Sequence, residues 1–494
     1  MLPLTRAKFG TDFYHVHLTG ICGTGMAALA GMLKARGFRV TGSDVDIYPP
    51  MSHFLEKLGI CVTRGYSESN LEPKPDLVVV GNALSRGNPE VEEILDRKIP
   101  YASLPEIIKE WFLSGTETVV VAGTHGKTTT ASLLAWVLED AGAEPSFLIG
   151  GIAGNFGSNF KLGQGKIFVV EGDEYDSAFF DKKSKFLHYS PQQVILNPIE
   201  YDHADIYDDL DSVLTAFRQL VNLVPRSGRI VAAGDNSNVR DCVAGAFCPV
   251  EFFGFKDQVS CRATGLHTTN EGTRYELIND GKNLGEFMIP MAGNFNVANS
   301  IAAVRIALGL GISVGSIRKG LLGFRGISRR QQVRGIAAGV TVIDDFAHHP
   351  TAIAATLQAI KALYPKRCVW AVVEPRSNTL RRKIFQKELE SSFRDADWII
   401  FSPVHRKDAL APSNRLDLVA LVKSLRLQGK KAEELPGAQG IVDYLIPKLG
   451  RGDIVVVMSN GSFDSIHELL LRALQDRENN VDARKFSYIK KPQL

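Results

Sequence analysis

The sequence predicts an α/β protein built as three wound units. Short apolar runs such as DLVVVGNA, TVVVAGTHG, KIFVVEGDE and DIVVVMSN alternate with helical patterns along the whole chain. Most of these runs end on glycine, acid, asparagine or proline, as expected of buried strands whose carboxyl ends face a ligand. Two seams reset the pattern: the polar link Ser114–Gly115–Thr116–Glu117 and the Gly/Arg-rich stretch GLLGFRGISRRQQVRG. They divide the chain into 1–113, 114–327 and 328–494.

Composition limits the function classes. At 494 residues the chain is too long for one ordinary core. Its 45% hydrophobic and 22% charged residues are ordinary globular usage. A net charge of +3, with no basic stripe interleaved with aromatics, argues against nucleic acid and against an anionic membrane surface. No apolar run reaches the roughly 18 residues of a membrane span, and MLPLTRAKFGTDFYHVHLTG lacks the apolar core of a leader. The six cysteines form no C-x-x-C pair, so free thiols and a cytoplasmic location are expected. The polar tail DRENNVDARKFSYIKKPQL is expected to be loose.

The first element to justify is HVHLTGICGTGMAALAGMLKARGFRVTGSD. A strand runs into a glycine turn, a helix follows, and a second strand ends on Asp44. Gly23, Gly25 and Ala28 fit G-x-G-x-x-G/A, which puts a diphosphate at a helix N-terminus. Taken alone, the pattern reads as a nicotinamide oxidoreductase.

The second unit opens on VVVAGTHGKTTTASLLAWVLEDAG. Gly123, Thr124, His125, Gly126, Lys127, Thr128 and Thr129 lie between a strand and a helix that carries Leu133, Leu134, Val137 and Leu138 on one face. Backbone amides of such a loop cradle phosphates, Lys127 reaches the outer phosphates, and the Thr128 hydroxyl suits Mg²⁺. The spacing from Gly123 to Gly126 is two residues shorter than the generic phosphate loop. Two later strands end in acids: Glu171, Asp173, Glu174 and Asp176, then Glu200, Asp202, His203 and Asp205. In a wound sheet these ends share one edge, so Glu171 and His203 are favoured with Thr128 as metal ligands. The middle unit therefore calls for ATP and Mg²⁺, neither of which a dehydrogenase needs.

Over nearly its whole length the chain resembles the Mur ligase family. GTHGKTTT resembles that family's short ATP loop, VEGDEYD and NPIEYDHADIY its two metal strands, GNFNVANSIAAV its adenine-side segment, and RRQQVRG with VTVIDDFAHHPTAI the start of its third domain. The resemblance implies a Rossmann-like N-terminal domain, a P-loop ATPase-like central domain and a Rossmann-like C-terminal domain. It implies catalytic roles for Lys127, Glu171, His203 and Arg330, and nucleotide contacts from Asn296, Arg330, Asp345 and His348. It also moves Gly23, Thr24, Gly25, Met26 and Asp44 from a nicotinamide cofactor to the UDP of a nucleotide sugar. Two departures stand out: Phe295 replaces the usual histidine of the adenine segment, and DDLDSVLTAFRQL has no lysine to carbamylate.

The implied reaction activates the carboxylate of UDP-N-acetylmuramate with ATP as an acyl phosphate, which an amine then attacks. GSDVDIYPPM, EPRSNT and MSNGSF resemble members that take the murein tripeptide L-Ala-γ-D-Glu-meso-diaminopimelate in peptidoglycan recycling. The alternative is the sibling reaction with L-alanine. A tripeptide rich in carboxylates suits arginine, so Arg376, Ser377 and Asn378, with Ser459 and Asn460, are the expected peptide site. A hinge is expected near Gly326–Ser328, and a monomer or weak homo-oligomer. His203 and His348 stand near the chemistry without an assigned base. His349 reads as a helix start, and His15, His17, His53, His188, His267 and His467 read as structural.

Overall fold

The structure, a computed structural model, describes residues 13–48 and 51–489. The stretch read for a leader before Phe13, Pro49 and Pro50 of the YPPM segment, and the last five residues of the tail lie outside the described residues.

The first sheet has five parallel strands in the order Val62–Arg64, Arg39–Asp44, His15–Thr19, Leu77–Val80, Tyr101–Ser103. The chain leaves His15–Thr19 toward one edge and returns on the other side of it. The glycine turn after Thr19 therefore sits at a topological switch point, where a wound sheet opens a crevice. The helix Thr24–Ala35 follows that turn, as expected.

The second sheet has ten strands. Its middle is parallel: Val250–Gly254, Arg229–Ala233, Gln193–Leu196, Glu117–Ala122, Ile167–Glu171, Ser146–Ala153. The strand leading into the ATP loop, Glu117–Ala122, thus lies between the two strands that end in acids. This adjacency puts both acidic ends beside Gly123–Thr129. At one edge Cys261–Thr269 joins Val250–Gly254 in parallel, and Gly272–Asn279 and Lys282–Ile289 then continue the sheet antiparallel. These strands carry no continuous apolar run; Cys261–Thr269 and Gly272–Asn279 instead mix buried and exposed positions, as sheets with one wet face do.

The third sheet runs Gln332–Ala337, Val340–Asp345, Ile454–Met458, Val369–Val373, Trp398–Phe401, Lys431–Glu434, parallel except for its first strand. Its final helix spans Ile466–Ile489. The tail from Asp476 to Ile489 is therefore helical rather than loose, and Arg477 anchors it by donating to the carbonyls of Ile446 and Leu449.

The sheets are docked to one another. Gly31 of the first helix lies against the Phe160 ring so closely that a Cβ would stand 2.5 Å from it, and Asn159 Nδ2 donates to Thr24 O at 3.0 Å. At the second seam Gly154 N donates to Gly326 O and Ser328 N to Ile152 O, so the expected hinge is laced to the edge of the central sheet. Gly31→Val is expected to lower stability by about 1–3 kcal/mol through overpacking against Phe160. Gly245→Ala, with open space at its Cβ, should stay within about 0.5 kcal/mol. Urea denaturation of the two variants checks both.

Candidate active site

The ATP-type loop is held by backbone close approach. Gly123 has φ +126°, and a Cβ there would lie 2.8 Å from Asn197. Gly126 has φ +79°, and its Cβ would lie 2.3 Å from Asn299 Oδ1. Only glycine meets both the left-handed backbone and the contact. Thr124 ties the loop to the neighbouring strand end, donating to Glu200 O (3.0 Å) and accepting from Glu200 N (2.9 Å). Lys127 opens the helix Lys127–Asp140, in which Leu133, Leu134, Val137 and Leu138 are buried.

Around this loop the charges form one chain. Lys127 Nζ donates to Glu174 Oε2 (2.8 Å) and to Gly123 O (2.7 Å), and His203 Nε2 meets Glu174 Oε1 at 2.9 Å. Burial alone would raise the Glu174 pKa; Lys127 and His203 hold it at about 2. Burial would likewise lower Lys127 and His203, and Glu174 keeps both above their ordinary values. Glu171 behaves oppositely. Its Oε1 accepts from Thr128 Oγ1 (2.8 Å) and its Oε2 from Gly150 N (2.6 Å), yet burial and neighbouring Asp173 push its pKa up. Thr128 and Glu171 are thus brought together as expected. Among the described residues no hydrogen bond or ion pair joins His203 to them; it connects to the loop through Glu174 and Lys127.

The third unit closes over this edge. Arg330 lies over the Phe346 ring at 5.0 Å, and Asp345 accepts from Gln331 N and Ala347 N, both at 2.8 Å. Burial lowers the Arg330 pKa and raises that of Asp345. His348 is pinned through Nδ1 to Phe346 O (2.8 Å), and burial keeps it below its ordinary pKa. His349 begins the helix Pro350–Leu363 and accepts from Thr351 N, as its position suggested. Its side chain also meets Glu200 (3.5 Å), which binds His125 (2.8 Å). That trio has metal-type ligands, but its hydrogen bonds already use them.

A cleft of about 250 Å³ lies between the second and third units. Tyr175, Asp202 and His203 of the second unit line it, and His348, Arg376, Asn378, Arg381, His405, Arg406 and Asn460 line it from the third. Asn378 Nδ2 crosses it to Asp205 (2.7 Å). Ser377 lines it while its hydroxyl accepts from Leu380 N. Ser459 departs from expectation: it is buried, donates to Glu374, and accepts from Gly461 N, so it anchors the loop and leaves the lining to Asn460.

Other sequence-derived sites are also repositioned. Gly23 caps the first helix with no side-chain partner, leaving the amides around Thr24 and Gly25 for a ligand. Met26 packs into the core instead. Asp44, 8% exposed, accepts from Cys22 N (2.8 Å) and Asp46 N (3.1 Å), so it braces the glycine turn. The Asn296 amide is turned inward, donating to Ala292 O (2.8 Å). Phe295 packs across Gly293.

Sequence reasoning missed Glu174 as the hub, Thr379, and the His405–Arg406 pair. The last pair had a signal, since SPVHRK follows the strand Trp398–Phe401 at the same sheet edge. Nothing local distinguishes Glu174 among four nearby acids.

Three family models match in succession: "Mur ligase family, catalytic domain" over 15–114, "Mur ligase middle domain" over 121–307, and "Mur ligase, glutamate ligase domain" over 329–461. The chain is 42% identical over 461 residues to the UDP-N-acetylmuramate–L-alanyl-γ-D-glutamyl-meso-2,6-diaminoheptandioate ligase of Escherichia coli, covering 93% of this chain and 98% of that protein. It is 33% identical over 467 residues to the UDP-N-acetylmuramate–L-alanine ligase of Syntrophus aciditrophicus, covering 94% and 95%. A solved murein peptide ligase from Psychrobacter arcticus superposes with a TM-score of 0.72 at 36% identity, covering 94% of this chain and 99% of that one.

The Glu200 carboxyl gives a pH test. Burial would raise its pKa, but His125, Thr351 and His349 hold it at about 2, below the ordinary 4.5. A group depressed on folding stabilises above its unfolded pKa and loses that contribution as pH falls through the folded one. Glu200→Gln should therefore flatten the loss of stability from about pH 4.5 down to about pH 2, read as urea midpoints.

Proposed function

The chain belongs to the Mur ligase family, and from that premise we propose that it joins the lactyl carboxylate of UDP-N-acetylmuramate to the L-alanine amine of L-Ala-γ-D-Glu-meso-diaminopimelate. As a member it is an ADP-forming amide-bond ligase of peptidoglycan metabolism. The observation that carries the peptide reading is a cleft bearing Arg376, Arg381 and Arg406 that opens on His203, one carboxylate away from Lys127. Three guanidinium groups suit an amine substrate with several carboxylates; L-alanine has one. The 42% relative, named for that peptide, supports the same choice over the 33% relative named for L-alanine.

In this reading the amides around Gly23–Gly25 hold the pyrophosphate of the UDP-sugar, with Asp44 bracing the turn. The loop Gly123–Thr129 holds ATP. A carboxylate is a weak nucleophile repelled by a triphosphate, so positive charge at the γ-phosphate is the main requirement. Lys127 supplies it from the central unit and Arg330 from the third. The hard oxygen donors of Thr128 and Glu171 fit Mg²⁺, and the upward pKa of buried Glu171 marks a place where a cation relieves charge. Bound there, Mg²⁺ would neutralise phosphate charge. The carboxylate oxygen bonds to the γ-phosphorus and ADP leaves; the neutral amine then attacks the acyl carbon and releases a proton, and phosphate leaves with that oxygen. His203, whose pKa Glu174 raises, and His348, whose pKa burial lowers, both line the cleft proposed to receive that amine.

No helix among the described residues is long and apolar enough to cross a membrane. Independently of that, the use of ATP and a UDP-sugar as substrates supports a cytoplasmic reaction, and the residues assigned to the site all lie on this chain, which suits a monomer or weak homo-oligomer.

Mass spectrometry of products from UDP-N-acetylmuramate, ATP, Mg²⁺ and a panel of amines tests the proposal. The tripeptide adduct is expected, and dominant L-alanine addition would overturn it in favour of the sibling reaction. Lys127→Ala is expected to lower turnover by about 10²–10³-fold, the typical effect of removing one transition-state charge contact, measured as ADP release.

A further inference from the structure

His203 has φ +57°, a left-handed backbone that is costly for a residue with a Cβ. Something must hold it there. Two acceptors meet its amide: Asp202 Oδ1 at 2.7 Å and Thr379 Oγ1 at 3.0 Å. Thr379 in turn donates its hydroxyl hydrogen to the same Asp202 oxygen at 2.6 Å and also receives Ala204 N at 3.4 Å. One hydroxyl thus closes a three-membered ring of hydrogen bonds around the peptide that sets His203. Thr379 is 2% exposed and Asp202 4%, so water does not readily replace it.

The two sides of this ring come from different units. Asp202 and His203 follow the central strand Gln193–Leu196, whereas Thr379 follows the third-unit strand Val369–Val373, three residues beyond Arg376 in EPRSNT. The loop that lines the peptide cleft therefore ends in the hydroxyl that fixes His203, and His203 leads through Glu174 to Lys127. We propose that Thr379 is a positioning residue that sets the His203 backbone only when the third unit docks, so that the peptide loop and the phosphate site are brought into register by one hydroxyl. This rests on the ligase reading above.

The discriminating set is Thr379→Val, which keeps the shape and removes the hydroxyl; Thr379→Ser, which keeps the hydroxyl; and Phe385→Leu. Phe385 packs on Tyr201 across the same docking surface and on His349 of its own unit, and neither ring contact involves His203. Thr379→Val is expected to lower kcat by about 10–10²-fold, the scale of a misplaced catalytic group, with the KM for ATP unchanged. Thr379→Ser should recover most of that loss. Phe385→Leu should stay within about twofold of the wild-type kcat. Wild-type kcat in Thr379→Val, no recovery in Thr379→Ser, or an equal loss in Phe385→Leu would overturn the proposal. If the wild-type enzyme forms no amide, the ligase reading fails instead. The NMR signals of the His203 amide and ring then decide the positioning claim alone: they must move in Thr379→Val and stay in Phe385→Leu, and any other pattern overturns it.

Discussion

The buried chain Lys127–Glu174–His203 is the constraint on which the rest of the site depends. Three ionisable groups have been taken out of water, and each shifts its neighbour toward the charged form: Glu174 raises the pKa of Lys127 and of His203, and both lower that of Glu174. A buried charge left unpaired would be strongly destabilising. The chain therefore dictates backbone as well as side chains. It needs the strand before the loop to lie between the two acid-bearing strands, and it needs a glycine loop whose carbonyl at Gly123 turns back to the lysine. The long parallel sheet meets those demands by placing three strand ends side by side.

The other two units act on this chain from outside. The first docks through Gly31 and Phe160 and presents its glycine turn at a switch point of its own sheet. The third reaches across with Arg330, His348 and the loop after Val373, and carries most of the positive charge of the cleft. Charge divides by unit: the arginines of the cleft come from the third, while Glu174 beside the phosphate loop pairs with Lys127 and Glu171 with Thr128.

The α/β class, the glycine loops and the two acid-bearing strands were legible in the sequence because each is a local signal. An apolar run ends, and a chemically distinctive residue follows. Roles that depend on tertiary partners were not legible. Asp44 lies at the spacing of a ribose ligand, yet its carboxylate is used by the amide of Cys22. Ser459 lies in a polar loop, yet its hydroxyl faces Glu374. Glu174 and Thr379 acquire their importance from residues 29 and 176 positions away from or toward His203, a separation no local pattern encodes. The antiparallel edge of the central sheet was missed for a simpler reason: one of its faces is wet, so its strands alternate.

The central claim is that the phosphate site activates a carboxylate by phosphorylating it. The most direct measurement uses UDP-N-acetylmuramate carrying oxygen-18 in its lactyl carboxylate, with the tripeptide, ATP and Mg²⁺, and follows the label in the released phosphate by mass spectrometry. Transfer of one labelled oxygen to phosphate per amide formed is the required result. Amide formation with unlabelled phosphate would contradict the account.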